Sequence, residues 1–338
     1  MTCEILATSK DAIKRGAAIL RDGGLVAMPT ETVYGLAADA TNDRAVAKIF
    51  EAKGRPQFNP LITHVASAEQ AREYVQMNET ARELAAQFWP GPLTMILPRV
   101  EGCKLSDLTC AGLPSSAIRV PSSKAALDLI KAAGVPLAAP SANVSGTLSP
   151  TTPAHVVESF CGHDGGDKID MILADGACAV GLESTVIDLT GGAPIILRPG
   201  GVTADQISDA LGQEIAIHHH DEADESAPKS PGLLLKHYAP SIPVRLNAID
   251  VGDGEALLAF GSIKFMGLKS GGGAASLPEN QIRNLSESGD LHEAAANLFR
   301  MMRELDQPEH AGIAVMNIPD TGLGVAMNDR LRRASQAI

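Results

Sequence analysis

Apolar positions along the first 212 residues fall into short buried runs separated by stretches of helical period. Asp11 to Arg21 reads as a short amphipathic helix stopped at Gly23-Gly24, and Leu25 to Met28 as a buried strand ended by Pro29. Ala45 to Ala52 is a helix with Val46, Ile49 and Phe50 on one face; Gly54 stops it and Pro56 keeps it from resuming. Leu61 to Val65, Leu93 to Leu97, Ala117 to Val120, Val135 to Ala139, Met171 to Ala174, Ser184 to Leu189 and Ile195 to Leu197 read as strands. Between them the pattern predicts one helix from Glu69 to Phe88, a tight turn at Trp89-Pro90-Gly91-Pro92, and a helix from Ser123 to Ala133. Thr152 and Pro153 open a helix to Phe160, and Thr203 caps one ending near Leu211. Strands alternating with helices predict an α/β domain with an open, partly parallel sheet.

From Ile217 the pattern is lost. Residues 218–232 are polar, charged and rich in Pro and Gly, which reads as a linker, with His218-His219-His220 as a solvated tract. Beyond it, strands at Val244 to Leu246, Ala256 to Phe260, Gln281 to Leu285 and Ile313 to Met316 predict a small second α/β domain. Its helices are Leu291 to Leu305, with Leu291, Ala295, Leu298 and Met302 on one face, and Gly324 to Ala337. The predicted organisation is a domain over 1–212, a linker over 213–241 and a domain over 242–338.

Composition narrows the function. With 45% hydrophobic and 20% charged residues the chain is globular, and no run reaches the 18 apolar residues of a membrane span. Asp and Glu outnumber Lys and Arg by 40 to 28, which argues against broad nucleic-acid binding. One Trp, three Tyr and seven Phe leave few platforms for stacking bases. Five cysteines without a C-x-x-C predict neither a disulfide framework nor a zinc ribbon, and with no signal-like leader the expected location is cytoplasmic.

The candidate chemistry lies in loops after strands. Thr30-Glu31-Thr32-Val33-Tyr34-Gly35 and Ser141-Ala142-Asn143 are polar loops; Lys53 and Arg55 set two cations on a rigid turn, which either complement the macrodipole at a helix C-terminus or suit a polyanion. Arg119, within a strand, requires an anionic partner: a structural Asp or Glu, or a substrate carboxylate. His64 is read as either a hydrogen-bonded structural group or a catalytic one. There is no G-x-x-x-x-G-K-[ST], H-E-x-x-H or G-x-S-x-G, and Gly322-Leu-Gly324 lacks both a third glycine and a preceding strand of the right kind. What remains is a site that holds a phosphate ester and stabilises charge without a covalent nucleophile.

Pro29-Thr-Glu-Thr-Val-Tyr-Gly-Leu36, Lys53-Gly-Arg-Pro56, Asn59-Pro-Leu61, Trp89-Pro-Gly-Pro-Leu-Thr94, Ala139-Pro-Ser-Ala-Asn143, Glu183-Ser-Thr185 and Leu197-Arg-Pro-Gly200 together resemble the YrdC-like threonylcarbamoyl-AMP synthases. Ser230-Pro-Gly-Leu-Leu-Leu-Lys-His-Tyr-Ala-Pro240 and the second domain resemble the family's long form, though Leu233 to Leu235 stand where that form commonly has a Lys and a Tyr. The resemblance implies a twisted mixed sheet with a concave cleft, a Rossmann-like C-terminal domain, and a linker that closes over the cleft. It implies synthesis of threonylcarbamoyl-adenylate from L-threonine, bicarbonate and ATP, with Mg²⁺ accompanying ATP. This is the first step toward N6-threonylcarbamoyladenosine at position 37 of tRNAs reading ANN codons.

Position by position, the resemblance implies that Lys53, Arg55, Ser141 and Asn143 form the catalytic signature. It assigns threonine to Thr32, His64, Arg119, Ala139 and Ser184, and ATP to Arg55, Asn59, Ser115, Ser141, Ser149, Arg198 and Tyr238. It also implies hand-over to a threonylcarbamoyl transferase complex, contact with tRNA, and no membrane. Two other functions are weighed against it: a translation-associated nucleic-acid-binding module using the same cleft, and a YrdC-like carbamoyl transferase, whose added acylphosphatase-like and zinc-finger segments have no match here.

Overall fold

The computed structural model describes residues 3–56, 59–162, 167–218, 238–264, 266–269 and 271–336. Contacts divide the chain into two units. The first comprises Met1–Ser145, Ser149–Ala179 and Glu183–Leu234; the second comprises Gly146–Leu148, Val180–Leu182 and Leu235–Ile338. Most of the 213–241 linker, including His219, His220 and Leu233 to Leu235, lies outside the described residues.

The first unit runs β1 (Glu4–Ala7), α1 (Lys10–Arg21), β2 (Val26–Met28), β3 (Gly35–Asp39), α2 (Asp43–Lys53), β4 (Ile62–His64), α3 (Ala68–Ala71), α4 (Glu79–Phe88), β5 (Leu93–Pro98) and α5 (Asp107–Cys110). It continues with β6 (Ser115–Arg119), α6 (Lys124–Ala133), β7 (Leu137–Ala138), α7 (Pro153–Phe160), β8 (Met171–Ala174), β9 (Thr185–Asp188), β10 (Ile195–Arg198), α8 (Ala204–Leu211) and β11 (Ala216–Ile217). The eleven strands form one mixed sheet in the order β1-β8-β2-β3-β7-β4-β6-β5-β9-β10-β11.

Alternation along the strands sorts the side chains between the two faces. Ala27, Leu36, Ala38, Leu93, Met95, Leu97, Ile118 and Ile187 enter the large core with α2, α4 and α7. On the opposite face, Val26, Met28, Ala37 and Leu137 pack under α1 and α6. The rest of that second face carries a separate buried patch, Ile62, Ile96, Ala117, Val186 and Leu197, every member of which is a strand residue.

Two expectations change. The helix predicted from Glu69 to Phe88 is two helices, because residues 74–76 leave the helical path and run beside 98–100: Gln76 N–H donates to Pro98 O and Val100 N–H to Tyr74 O. Asn78 then starts α4 afresh, its side chain accepting from Ala81 N–H at 2.8 Å. Strands β1 and β3 were not anticipated; β1 has a half-exposed alternating pattern and β3 directly follows the polar loop.

The second unit contains β12 (Val244–Arg245), β13 (Asp250–Val251), β14 (Glu255–Ala259), β15 (Gly267–Leu268), β16 (Ile282–Asn284), α9 (Leu291–Leu305), β17 (Gly312–Val315) and α10 (Leu323–Ser335). Its sheet, β12-β17-β14-β16, is parallel throughout. Helix α9 buries Ala294, Ala295, Leu298, Phe299, Met302 and Leu305, the face its period predicts. Gly322-Leu-Gly324 opens α10 several residues after β17, the strand expected at Ile313 to Met316, and the third glycine position is Met327. Among the described residues no helix is long and apolar enough to cross a membrane.

Candidate active site

Helix α2 delivers the two cations of the Lys53-Gly-Arg turn. Asn42 caps its start, accepting from Arg44 and Ala45 N–H, and Gly54 ends it in the left-handed region at φ 60°. A side chain at position 54 would be strained there, although its Cβ would meet nothing within 4 Å. Lys53 is 2% exposed, and its Nζ donates to Ser141 O and Asn143 O, each at 2.6 Å, while Lys53 O accepts from Ser145 N–H at 2.8 Å. Burial, and secondarily the Arg55 charge, hold the Lys53 amine well below the usual lysine range. The lysine is therefore an anchor for the Ser141–Asn143 loop.

Arg55, also buried, donates from Nε to Asn59 O at 3.4 Å and from Nη2 to Pro60 O at 3.1 Å. These bonds hold the turn against the entry to β4. Asn59 itself is fully buried, and among the described residues neither its side-chain oxygen nor its nitrogen has a hydrogen-bond partner. A buried amide left unsatisfied is costly and marks a position prepared for a polar ligand.

The Ser141–Asn143 loop crosses the start of β3: Leu36 N–H donates to Pro140 O and Ala142 N–H to Tyr34 O, both at 2.7 Å. Asn143, fully buried, donates from Nδ2 to Val144 O at 2.9 Å. Ala139 N–H donates to Ile62 O at 3.0 Å, setting its backbone beside β4.

His64 and Arg119 are register partners at the carboxyl ends of the parallel strands β4 and β6. Burial first, and the Arg119 charge second, lower the His64 pKa to about 3, so the ring is neutral; its Nδ1 lies 3.3 Å from Ile62 O. Arg119 is 3% exposed and tied on three sides. Its Nε donates to Gly91 O at 3.1 Å, Nη1 to Thr32 Oγ1 at 3.0 Å and Nη2 to Glu31 Oε1 at 2.6 Å. Thr32 Oγ1 also lies 2.8 Å from Thr30 Oγ1, which donates to Val33 O.

The sequence reading left the anionic partner of Arg119 open between a structural carboxylate and a substrate. The structure supplies Glu31, a residue within a quoted motif to which no role was given. Burial raises the Glu31 pKa, but the adjacent Arg119 charge and its hydrogen bond outweigh this and leave the carboxyl below its usual range. The available signal was chemical: a loop acid and a strand arginine each required a counter-charge.

Ser184, Thr94 and Arg198 form a second contact group. Thr94 Oγ1 and Ser184 Oγ are 2.8 Å apart, and Arg198 donates to Ser184 O from Nε (3.2 Å) and Nη2 (2.8 Å), with Ser184 Oγ 3.2 Å from Nη2. Gly200 permits this: a Cβ there would stand 2.4 Å from both Glu183 O and Thr185 N. Ser149, fully buried, hydrogen-bonds the Glu183 carboxylate, another acid the sequence reading passed over.

Ser115 begins β6 on the face that carries Arg119, four residues away, or about 13 Å along an extended strand. Tyr238 belongs to the second unit and is 1% exposed; its ring stacks on Phe299 with centroids 5.6 Å apart, and the Arg330 guanidinium stands 5.2 Å over it. Among the described residues no three His, Cys, Asp or Glu gather as a metal site.

Comparison with known proteins gives a consistent result. Residues 18–200 match the Sua5–YciO–YrdC family, described as "Telomere recombination", and residues 202–336 match "Threonylcarbamoyl-AMP synthase, C-terminal domain". The threonylcarbamoyl-AMP synthase of Pyrococcus abyssi is 42% identical, with 96% of this chain and 94% of that protein covered. That of Bacillus subtilis is 39% identical, over 98% and 94%. The crystal structure of P. abyssi Sua5 complexed with L-threonine superposes with a TM-score of 0.85 at 37% identity, covering 100% of this chain and 98% of that one. Escherichia coli YciO, at 22% identity and a TM-score of 0.52, covers 59% of the chain and shares the fold there.

Proposed function

The chain belongs to the Sua5–YciO–YrdC family and carries the C-terminal domain of the threonylcarbamoyl-AMP synthases, and on that premise we propose that it converts L-threonine, bicarbonate and ATP into threonylcarbamoyl-adenylate and pyrophosphate. This is the first step of N6-threonylcarbamoyladenosine formation at position 37 of tRNAs reading ANN codons. One observation supports the reading above others. Arg119 bonds Thr32 and is the register partner of His64, so three positions assigned to threonine form one contact group on the sheet face that also bears Ser115.

The reaction joins two anions. Threonine's amine and bicarbonate give a carbamate with loss of water; a carbamate oxygen then attacks the α-phosphorus of ATP, and pyrophosphate leaves with the electron pair of the broken P–O bond. Arg119 takes the α-carboxylate of threonine, and neutral His64, Ser184 and the Ala139 backbone supply dipoles around it. Arg55 and Arg198 stabilise the charge that grows on the phosphates, while Lys53 holds Ser141 and Asn143 in place to meet them. Asn59 and Ser149 complete the nucleotide contacts. Each charge-stabilising donor of this kind is worth roughly 3 kcal/mol of barrier. The carbamate is already a nucleophile, so its attack on phosphorus requires no general base; the ammonium of threonine gives its proton to water before the carbamate forms.

Mg²⁺ suits the β- and γ-phosphates of ATP rather than a protein cage. The buried acids Glu31 and Glu183 are engaged by Arg119 and Ser149, and Mg²⁺ commonly keeps several waters and binds through substrate phosphates. Bound there, it would share the neutralisation of the leaving group. The labile product passes to a threonylcarbamoyl transferase acting on tRNA.

The test is pyrophosphate release from ATP and bicarbonate with and without L-threonine, with the nucleotide product identified by mass. Threonine-dependent release and a threonylcarbamoyl-adenylate mass are expected. ATP binding with no threonine-dependent turnover would refute the enzymatic reading.

A further inference from the structure

Glu31 is joined to Arg119 in a way that leaves capacity on both groups. Of the five N–H groups of the guanidinium, one on Nε goes to Gly91 O, one on Nη1 to Thr32 Oγ1 and one on Nη2 to Glu31 Oε1. Among the described residues that leaves one donor on each Nη. The carboxylate accepts from Nη2 through Oε1 and from Ser122 N–H, at 3.1 Å, through Oε2. The Glu31 backbone N–H also faces the carboxylate; of the carboxylate's roughly four acceptor sites, about one remains among the described residues.

The side chains are 3% and 10% exposed, so the pair is an almost buried unit of zero net charge. A ligand that brings net charge to such a unit leaves part of it uncompensated in a low dielectric, which is costly. A zwitterion brings none. Backbone bonds from Gly91 and Ser122 fix the two groups independently, so neither depends on the other for its place.

We infer that Glu31 and Arg119 together form a receptor for the zwitterionic end of a free α-amino acid, with Arg119 taking the carboxylate and Glu31 the ammonium. The inference rests on the threonine reading above and adds a specificity-determining residue to it. Arg119 alone would accept any small carboxylate. The pair admits an amino acid and disfavours the corresponding hydroxy acid, which carries the same carboxylate and β-hydroxyl but a net charge of minus one.

The experiment measures by calorimetry the affinities of L-threonine and of 2,3-dihydroxybutanoate, its analogue with hydroxyl in place of ammonium, for the full chain and for Glu31→Gln. The wild-type protein should prefer threonine by about 10- to 100-fold, the range of one charge-assisted hydrogen bond. In Glu31→Gln threonine affinity should fall by a similar factor. Affinity for the dihydroxy acid should hold or rise, because Arg119 is no longer neutralised. In turnover, KM for threonine should rise while KM for ATP stays. If both ligands weaken together, or the preference survives, Glu31 only supports Arg119 and the inference is overturned.

Should Glu31→Gln not fold, Glu31→Asp withdraws the carboxylate by one methylene without removing its charge. Threonine should then weaken at least several-fold and the dihydroxy acid should not, and equal losses again overturn the inference. Failure of wild type to bind threonine would overturn the functional reading with it, which the variant arm alone cannot do.

Discussion

Lys53→Met is the sharpest test of what the buried lysine does. The substitution keeps an unbranched chain of similar length and removes the two donations to Ser141 O and Asn143 O. Ser141 O still accepts from Asn143 N–H at 3.0 Å, so chiefly Asn143 O is left without its donor. The lost bonds cost roughly 1–3 kcal/mol, partly offset because a buried amine beside Arg55 no longer has to be desolvated. The fold should therefore survive, with a modestly lower urea midpoint. Turnover should not, since a catalytic loop displaced by about 1 Å can lose about 100-fold.

The same variant carries a pH signature. The Lys53 amine is depressed below its ordinary value of 10.5, so between the two values the unfolded chain holds a proton that the folded one lacks. Stability then rises with pH across that window and levels off near 10.5. Lys53→Met lacks this rise, so wild-type stability should gain on the variant as pH rises toward 10.5, read as the difference of two urea midpoints at each pH. Thiols and phenols titrate in both proteins and cancel in that difference. Full threonine-dependent turnover in Lys53→Met, or parallel pH profiles, would refute the anchoring role.

Other perturbations separate stability from function. Asn59→Leu removes a buried amide that has no partner among the described residues and should leave the thermal midpoint unchanged or higher while ATP affinity falls, as read by calorimetry. His64, with its pKa at about 3 against an unfolded 6.5, contributes stability that is lost as pH falls from 6.5 toward 3. His64→Gln should flatten that acid limb of the denaturation profile, and wild-type KM for threonine should show no inflection from this ring between pH 5 and 8.

The periodic elements were readable because burial there is one-sided. Leu291 to Leu305 was read to the residue from its apolar stripe, and the Asp290 cap fixes the same start in the structure. The helix from Glu69 to Phe88 was misread because residues 72–77 retain helical propensity, and the partner that pulls them aside, the segment 98–100, is more than twenty residues away. Strand β3 was missed for a related reason: all five of its residues are buried, so no alternation announces it. At the site, Lys53, Arg119 and the Ser141–Asn143 loop were singled out from the sequence, but their bonds were not. Arg119 and Glu31 are 88 positions apart, and Lys53 and Asn143 are 90 apart. Residue type declared a need for a partner; only the sheet order decides which partner is within reach.

Some of those partners bear on function. Arg55 donates to the carbonyls of Asn59 and Pro60, whereas Arg119 meets the Glu31 carboxylate. A carbonyl dipole satisfies an N–H group and helps solvate its charge without cancelling it, whereas a carboxylate at 3 Å cancels most of it. A carboxylate brought next to Arg55 would therefore weaken the field it offers a polyanion. Pro60→Glu keeps the main-chain carbonyl that Arg55 meets and adds a carboxylate next to it; it should selectively weaken ATP and leave threonine affinity intact, and equal weakening of both would refute the assignment of Arg55 to ATP.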